Sequence, residues 1–266
     1  MNDASAVPFF SETTMVREIQ RRAHFAMQGL NPVLVIGSAG TGKTEALRHL
    51  SNVFPRSCVC TVDPADRSPL GMVTMLRRSM GFREQGRYHR DIRHEVVSTL
   101  HELRENPCVF SGRIEPIMFL VDEVNNLEPR ALKDLLDIVT TTGHAMVMAG
   151  NQESLSRSDI GKRKISIHEF EQIKSRIGMK IDMLPPSSSD LVSIASKPFF
   201  RLRGERALQG AVNYGLGRDI RQMVEVLKLA GLLAGEGKPV QADHLWEAVE
   251  GRDGAEGVKI MERKAA

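Results

Sequence analysis

The chain has 266 residues, with 36 Lys/Arg against 33 Asp/Glu and a net charge of +3. A hydrophobic fraction of 41% and a charged fraction of 26% are ordinary for a globular protein. No apolar run approaches the roughly 20 residues of a membrane-spanning helix, which excludes an integral helical membrane protein. Three cysteines, Cys58, Cys60 and Cys108, supply neither a disulfide framework nor a four-ligand metal site. Cys58 and Cys60 alternate in an apolar run and read as buried structural thiols. The amino terminus, MNDASAVPFFSETT, lacks the basic start and apolar stretch of a secretory signal, so a cytoplasmic setting is expected.

PVLVIG (32–37) is a short Val/Ile-rich run closed by glycine and reads as a buried strand. It leads into GSAGTGKT (37–44), followed by a helix over about 43–52. SCVCTVD (57–63) is a second strand, and helical patterns follow near 68–80 and 90–105. PIMFLVDE (116–123) is a third strand, with an amphipathic helix over 127–139. HAMVMAGN (144–151) and MKIDML (179–184) are the fourth and fifth. Strands alternating with helices predict an α/β fold with a five-stranded parallel sheet flanked by helices. After Pro185 and Pro186 only helical periodicity remains. The expected division is a nucleotide-binding domain over 1–186, a small all-helical domain over 187–250, and a flexible tail over 251–266.

GSAGTGKT fits G-x-x-x-x-G-K-[ST] with a strand before it and a helix after it. Glycines let backbone N–H groups converge on phosphate oxygens, and the helix amino terminus adds partial positive charge. Gly37, Ser38, Ala39, Gly40, Thr41, Gly42, Lys43 and Thr44 are therefore the expected cradle for ATP. Lys43 would reach the β/γ-phosphates, and Thr44 would ligate Mg²⁺. The strand IMFLVDE ends in two carboxylates that point in different directions. Asp122 is expected to complete the metal shell and Glu123 to polarise the attacking water.

The acid pair, together with a fourth strand ending in Asn151, resembles the Walker B and sensor 1 motifs of AAA+ P-loop ATPases. The resemblance implies that Asn151 contacts the γ-phosphate or the water. It also implies an arginine finger ending the helix before the fifth strand, where EQIKSRIG places Arg176, with Lys174 as the second choice. In the helical domain, YGLGRDIRQMVEVL resembles the sensor 2 segment, with Arg221 the better candidate and Arg218 the second.

Residues 77–93, RRSMGFREQGRYHRDIR, hold six arginines against Glu84 and Asp91. With so few aromatics, Phe82 and Tyr88, the segment suits backbone tracking along duplex DNA better than stacking on single strands. Arg77, Arg78, Arg83, Arg87, His89 and Arg90 are the expected DNA contacts. A second basic loop, RSDIGKRKI (157–165), could face DNA, a neighbouring subunit or solvent. Within the AAA+ proteins the chain is similar to the transposition-regulator ATPases of phage Mu and Tn7-like elements. That implies ATP-dependent self-association into rings or filaments on duplex DNA, with a transposase and possibly a target-selection protein as partners. A helicase-loader type of ATPase acting mainly on a protein partner stays open as the alternative.

Overall fold

Five parallel strands form one sheet in the order β2-β3-β4-β1-β5. They are β1 (Val33–Ile36), β2 (Ser57–Thr61), β3 (Met118–Asp122), β4 (Ala145–Gly150) and β5 (Met179–Asp182). The computed structural model describes residues 8–82, 88–107, 112–151 and 167–262, with the backbone only for 167–170. The central strands β1, β3 and β4 are buried at every position. Strands covered on both faces have no reason to alternate, and VLVI, MFLVD and AMVMAG accordingly read as continuous apolar runs. The edge strands β2 and β5 are only partly covered and carry Thr61, Lys180 and Asp182 in exposed places.

Helices α1 (Thr14–Gly29), α2 (Lys43–Val53), α3 (Pro69–Ser79), α4 (His89–Glu105), α5 (Pro129–Thr141) and α6 (Ile167–Arg176) punctuate the strands. Helix α5 begins two residues later than its apolar pattern suggests. Val124–Asn126 form a 3-10 turn, and Pro129, which has no N–H to donate, occupies the first helical turn. The sheet core joins Phe119 and Val121 with Leu135, Leu136, Met72 and Leu76, all essentially inaccessible. His144 is fully buried at the entry to β4. Its Nδ1 accepts from the Ile117 amide at 3.0 Å, and its Nε2 lies 3.0 Å from the Leu100 carbonyl, to which it donates.

The chain divides into two contact units. One comprises the described residues among 19–38 and 43–182; the other comprises the described residues among 5–18, residues 39–42 and residues 183–262. The second is built on α7 (Ser188–Ala195), α8 (Glu205–Gly217), α9 (Ile220–Ala234) and α10 (Ala242–Met261). Ser187 and Asp190 form a capping box at the start of α7, and Asp190 also accepts from the Thr14 amide at 2.8 Å. Trp246, the only tryptophan, sits on α10 so close to α8 that a Cβ on Gly210 would stand 2.7 Å from its ring. Residues 251–261, expected as a flexible tail, instead continue α10 past a break at Gly254. Ile260 and Met261 there are buried in the helical unit's core, which is what keeps this polar-looking stretch folded. Among the described residues no helix is long and apolar enough to cross a membrane.

Candidate nucleotide site

The expected phosphate-loop, acid-pair and Asn151 positions all lie at the carboxyl ends of neighbouring parallel strands, where open α/β sheets place their ligand sites. Gly37 follows β1 and its amide donates to the Gly150 carbonyl at the end of β4, 3.2 Å away. Lys43 opens α2, and its Nζ donates to the loop's own Gly37 and Ser38 carbonyls at 2.8 and 2.7 Å. Burial lowers the Lys43 pKa, against the opposing pull of Glu123 and Asp122, so all three charged groups share one environment. Thr44 Oγ1 donates to Asp122 Oδ2 at 2.6 Å. Asp122 is 4% exposed, and its other oxygen accepts the Glu123 amide at 2.9 Å.

Glu123 adopts φ 56°, ψ 38°, the left-handed region that costs a residue with a side chain about 1 kcal/mol or more. This turn separates the two carboxylates: Asp122 stays buried beside Thr44, and Glu123 is exposed. The same turn brings Asn125 under β4, where its Oδ1 accepts the Asn151 amide at 3.3 Å. Asn126 Nδ2 donates to the Val62 carbonyl at 2.9 Å and pins the turn to the chain after β2. Sequence reasoning did not single out Asn125 or Asn126. The VDEVNN run, with two amides directly behind the acid pair, carried the signal.

The loop tip, residues 39–42, groups with the helical unit. The Arg221 amide lies 3.4 Å from the Gly40 carbonyl. Asp219 caps α9 through the Gln222 amide at 2.8 Å, and its carboxylate packs on Gly40 so that an added Cβ would meet it at 2.6 Å. Gly40 also has φ +81°, so the position is closed to side chains on two counts. Arg221 has an exposed side chain. Arg218, the second sensor 2 candidate, is instead committed to Asp253 and Glu256, each 3.3 Å away. Those ion pairs hold its guanidinium against α10.

All the donors gathered around Thr44 and Asp122 are hard oxygens, the set that suits Mg²⁺, and the amide-lined loop with its lysine suits a polyphosphate. The residues therefore fit ATP and Mg²⁺. Arg176 does end the helix before β5, and its Nη1 forms an ion pair with Asp137 of α5.

The arginine cluster divides. Arg77 is 6% exposed and its Nη2 is 2.9 Å from Glu95, so burial removes it from the expected DNA contacts. Arg78 is about half exposed beside Asp66 at 3.4 Å. His89 and Arg93 both meet Asp134, at 3.2 and 2.8 Å, and with the exposed Arg90 and with His94 they line one surface groove. Arg83, Arg87 and the basic loop 157–165 lie outside the described residues. Cys60 is buried and Cys58 half-buried; burial pushes their thiols up to about 12 and about 11, away from thiolate reactivity.

Residues 27–157 match the AAA domain family. The fold is similar to that of the Thermotoga maritima Holliday junction branch-migration motor RuvB, with a TM-score of 0.50 and 13% identity, covering 91% of this chain and 72% of that one. The fold is that of the AAA+ P-loop ATPases. The chain is 27% identical over 250 residues to the ATP-dependent target DNA activator B of Escherichia phage Mu, covering 91% of this chain and 72% of that protein. It is also 23% identical over 192 residues to the Mu-like prophage FluMu DNA transposition protein B of Haemophilus influenzae, covering 71% and 61%. Both relatives are named as transposition or target-DNA proteins, and the chain is similar to them along most of its length.

Proposed function

We propose that this protein is an AAA+ ATPase that regulates DNA transposition by assembling, when bound to ATP, as a ring or helical filament on duplex DNA. In that state it presents the DNA to a transposase, with or without a target-selection protein. Hydrolysis then takes the assembly apart. The observation that carries the reading is the site itself: Lys43, Thr44, Asp122 and Glu123 converge on one strand-end cluster, in a chain similar along most of its length to target DNA activators.

Within that reading Thr44 and Asp122 would hold Mg²⁺, which would supply charge neutralisation at the phosphates. Lys43 leaves the loop carbonyls for phosphate oxygens. Glu123 takes a proton from the attacking water, and Asn151, held by Asn125, orients that water or the γ-phosphate. Arg221 lies at the loop tip and reaches the nucleotide from the first turn of α9. Arg176 stabilises charge on a neighbouring subunit's transferring phosphoryl group. Arg78, His89 and Arg90, repeated from subunit to subunit, contact DNA phosphates without reading bases.

Electron microscopy of the protein with duplex DNA and a slowly hydrolysed ATP analogue tests the assembly directly. Regular rings or filaments that need both DNA and nucleotide are expected. Particles that stay dispersed under those conditions would overturn the proposal.

A further inference from the structure

Helices α5 and α6 face each other through two matched rungs. Lys133 Nζ donates to Gln172 Oε1 at 2.8 Å, and one helical turn further along each helix Asp137 pairs with Arg176. Both steps are four residues, the spacing that keeps side chains on one helix face, so the two contacts lie in register. Between them Ile173, 1% exposed, inserts into the sheet core. Immediately after Arg176 the chain is fixed again: the Gly178 amide donates to the Pro32 carbonyl at 3.0 Å, and a Cβ on Gly178 would collide with Asn31 at 2.5 Å. The base of Arg176 is thus held from both sides.

The guanidinium is held by one edge. Its Nη1 is buried and faces the Asp137 carboxylate, while the side chain as a whole remains 36% exposed. A guanidinium carries five N–H donors in a fixed plane, and one carboxylate oxygen at Nη1 cannot occupy them all. Among the described residues Asp137 is the partner of this guanidinium, and with the side chain 36% exposed its remaining donors can meet an anion at an orientation Asp137 sets. A free arginine would sample many rotamers and lose that freedom each time it met a phosphate.

We infer that Asp137 is a positioning residue for ATP hydrolysis: it orients Arg176 toward the nucleotide of a neighbouring subunit. This rests on the reading of Arg176 as the arginine supplied between subunits. Asp137 contacts no nucleotide itself, so its loss lowers turnover in the assembly and leaves nucleotide affinity unchanged.

Turnover and nucleotide affinity of the full-length protein, assembled on duplex DNA, are measured for Asp137→Asn, Asp137→Glu and Arg176→Ala. Asp137→Asn is expected to lower kcat at least 10-fold with KM within twofold, and Asp137→Glu to recover part of the loss. Mixing Asp137→Asn with Glu123→Gln subunits separates positioning from misfolding. The first keeps its own site and the second keeps an ordered arginine, so mixed assemblies should hydrolyse ATP faster than either variant alone. Normal turnover by Arg176→Ala would remove the intersubunit reading and this inference with it. Loss of turnover in Arg176→Ala alongside normal turnover in Asp137→Asn would overturn the role of Asp137 alone. Absence of complementation in the mixture would also overturn it.

Discussion

Thr44 Oγ1 donates a 2.6 Å hydrogen bond to Asp122 Oδ2, joining the first turn of α2 to the end of β3. The two groups are 78 residues apart in sequence, and the parallel sheet brings them together. If both belong to one metal shell, truncating either should weaken Mg²⁺ rather than nucleotide alone. Thr44→Val or Asp122→Asn is expected to raise the Mg²⁺ concentration for half-maximal ATP turnover by about 10-fold or more. A magnesium titration of hydrolysis checks it, with Thr44→Ser as the tolerated control.

Glu123 combines an exposed carboxylate with a left-handed backbone. Glycine adopts that conformation freely, so Glu123→Gly should raise the unfolding free energy by about 1 kcal/mol while abolishing hydrolysis. Glu123→Gln keeps the strain and should also stop hydrolysis, trapping the ATP-bound state. Thermal denaturation and a turnover assay on both variants separate the two effects. Equal stability of Glu123→Gly and the parent would show that the turn is unstrained.

Gly40→Ala meets two obstacles, a positive φ and the Asp219 carboxylate at 2.6 Å. Gly42→Ala meets only the first, with nothing within 4 Å of its added Cβ. Fluorescent-nucleotide titrations should therefore show the larger loss of affinity for Gly40→Ala. Adding Asp219→Ala should recover part of it, and no recovery would remove Asp219 from that loop's surroundings.

Arg77 and its neighbours should part company in experiment. Arg77→Ala is expected to cost about 1–3 kcal/mol of stability, because it removes a buried side chain and its hydrogen bond to the exposed Glu95, and to leave the salt dependence of DNA binding unchanged. Arg78→Ala with Arg90→Ala should do the reverse: little change in melting temperature, and weaker DNA binding with a shallower salt slope.

His144 makes folding stability depend on acid. Burial, partly offset by the Leu100 carbonyl, lowers its pKa from 6.5 to about 4. The unfolded chain therefore binds the proton more readily than the folded one between those values. Stability is fully present above about pH 6.5 and falls as pH drops toward 4, by roughly 3 kcal/mol from this group. Urea unfolding across pH 4–7 should show the slope. His144→Gln, which retains a donor and an acceptor but does not titrate, should flatten it.

Much of this was legible in the chain. The G-x-x-x-x-G-K-T loop, the acid pair and Asn151 lie at the strand ends where the sequence sets them, because the apolar runs mark those strands. What escaped was side-chain company across elements. Nothing in RRSMG distinguishes Arg77 from Arg78; only the packing of α3 against α4 buries the first and exposes the second. Arg218 looked free until α10 supplied Asp253 and Glu256. The carboxyl-terminal stretch looked like solvent-exposed tail because two apolar residues, Ile260 and Met261, anchor an otherwise polar segment.

The solitary tryptophan has a practical meaning. Trp246 belongs to the helical unit, wedged against Gly210 with the Arg206 guanidinium 4.9 Å from its ring centroid. Its emission is a native optical reporter of that unit alone, whereas circular dichroism sums the whole chain. Recording both during one melt would reveal whether the sheet and the helical bundle come apart as a single cooperative body or in succession, with no label attached.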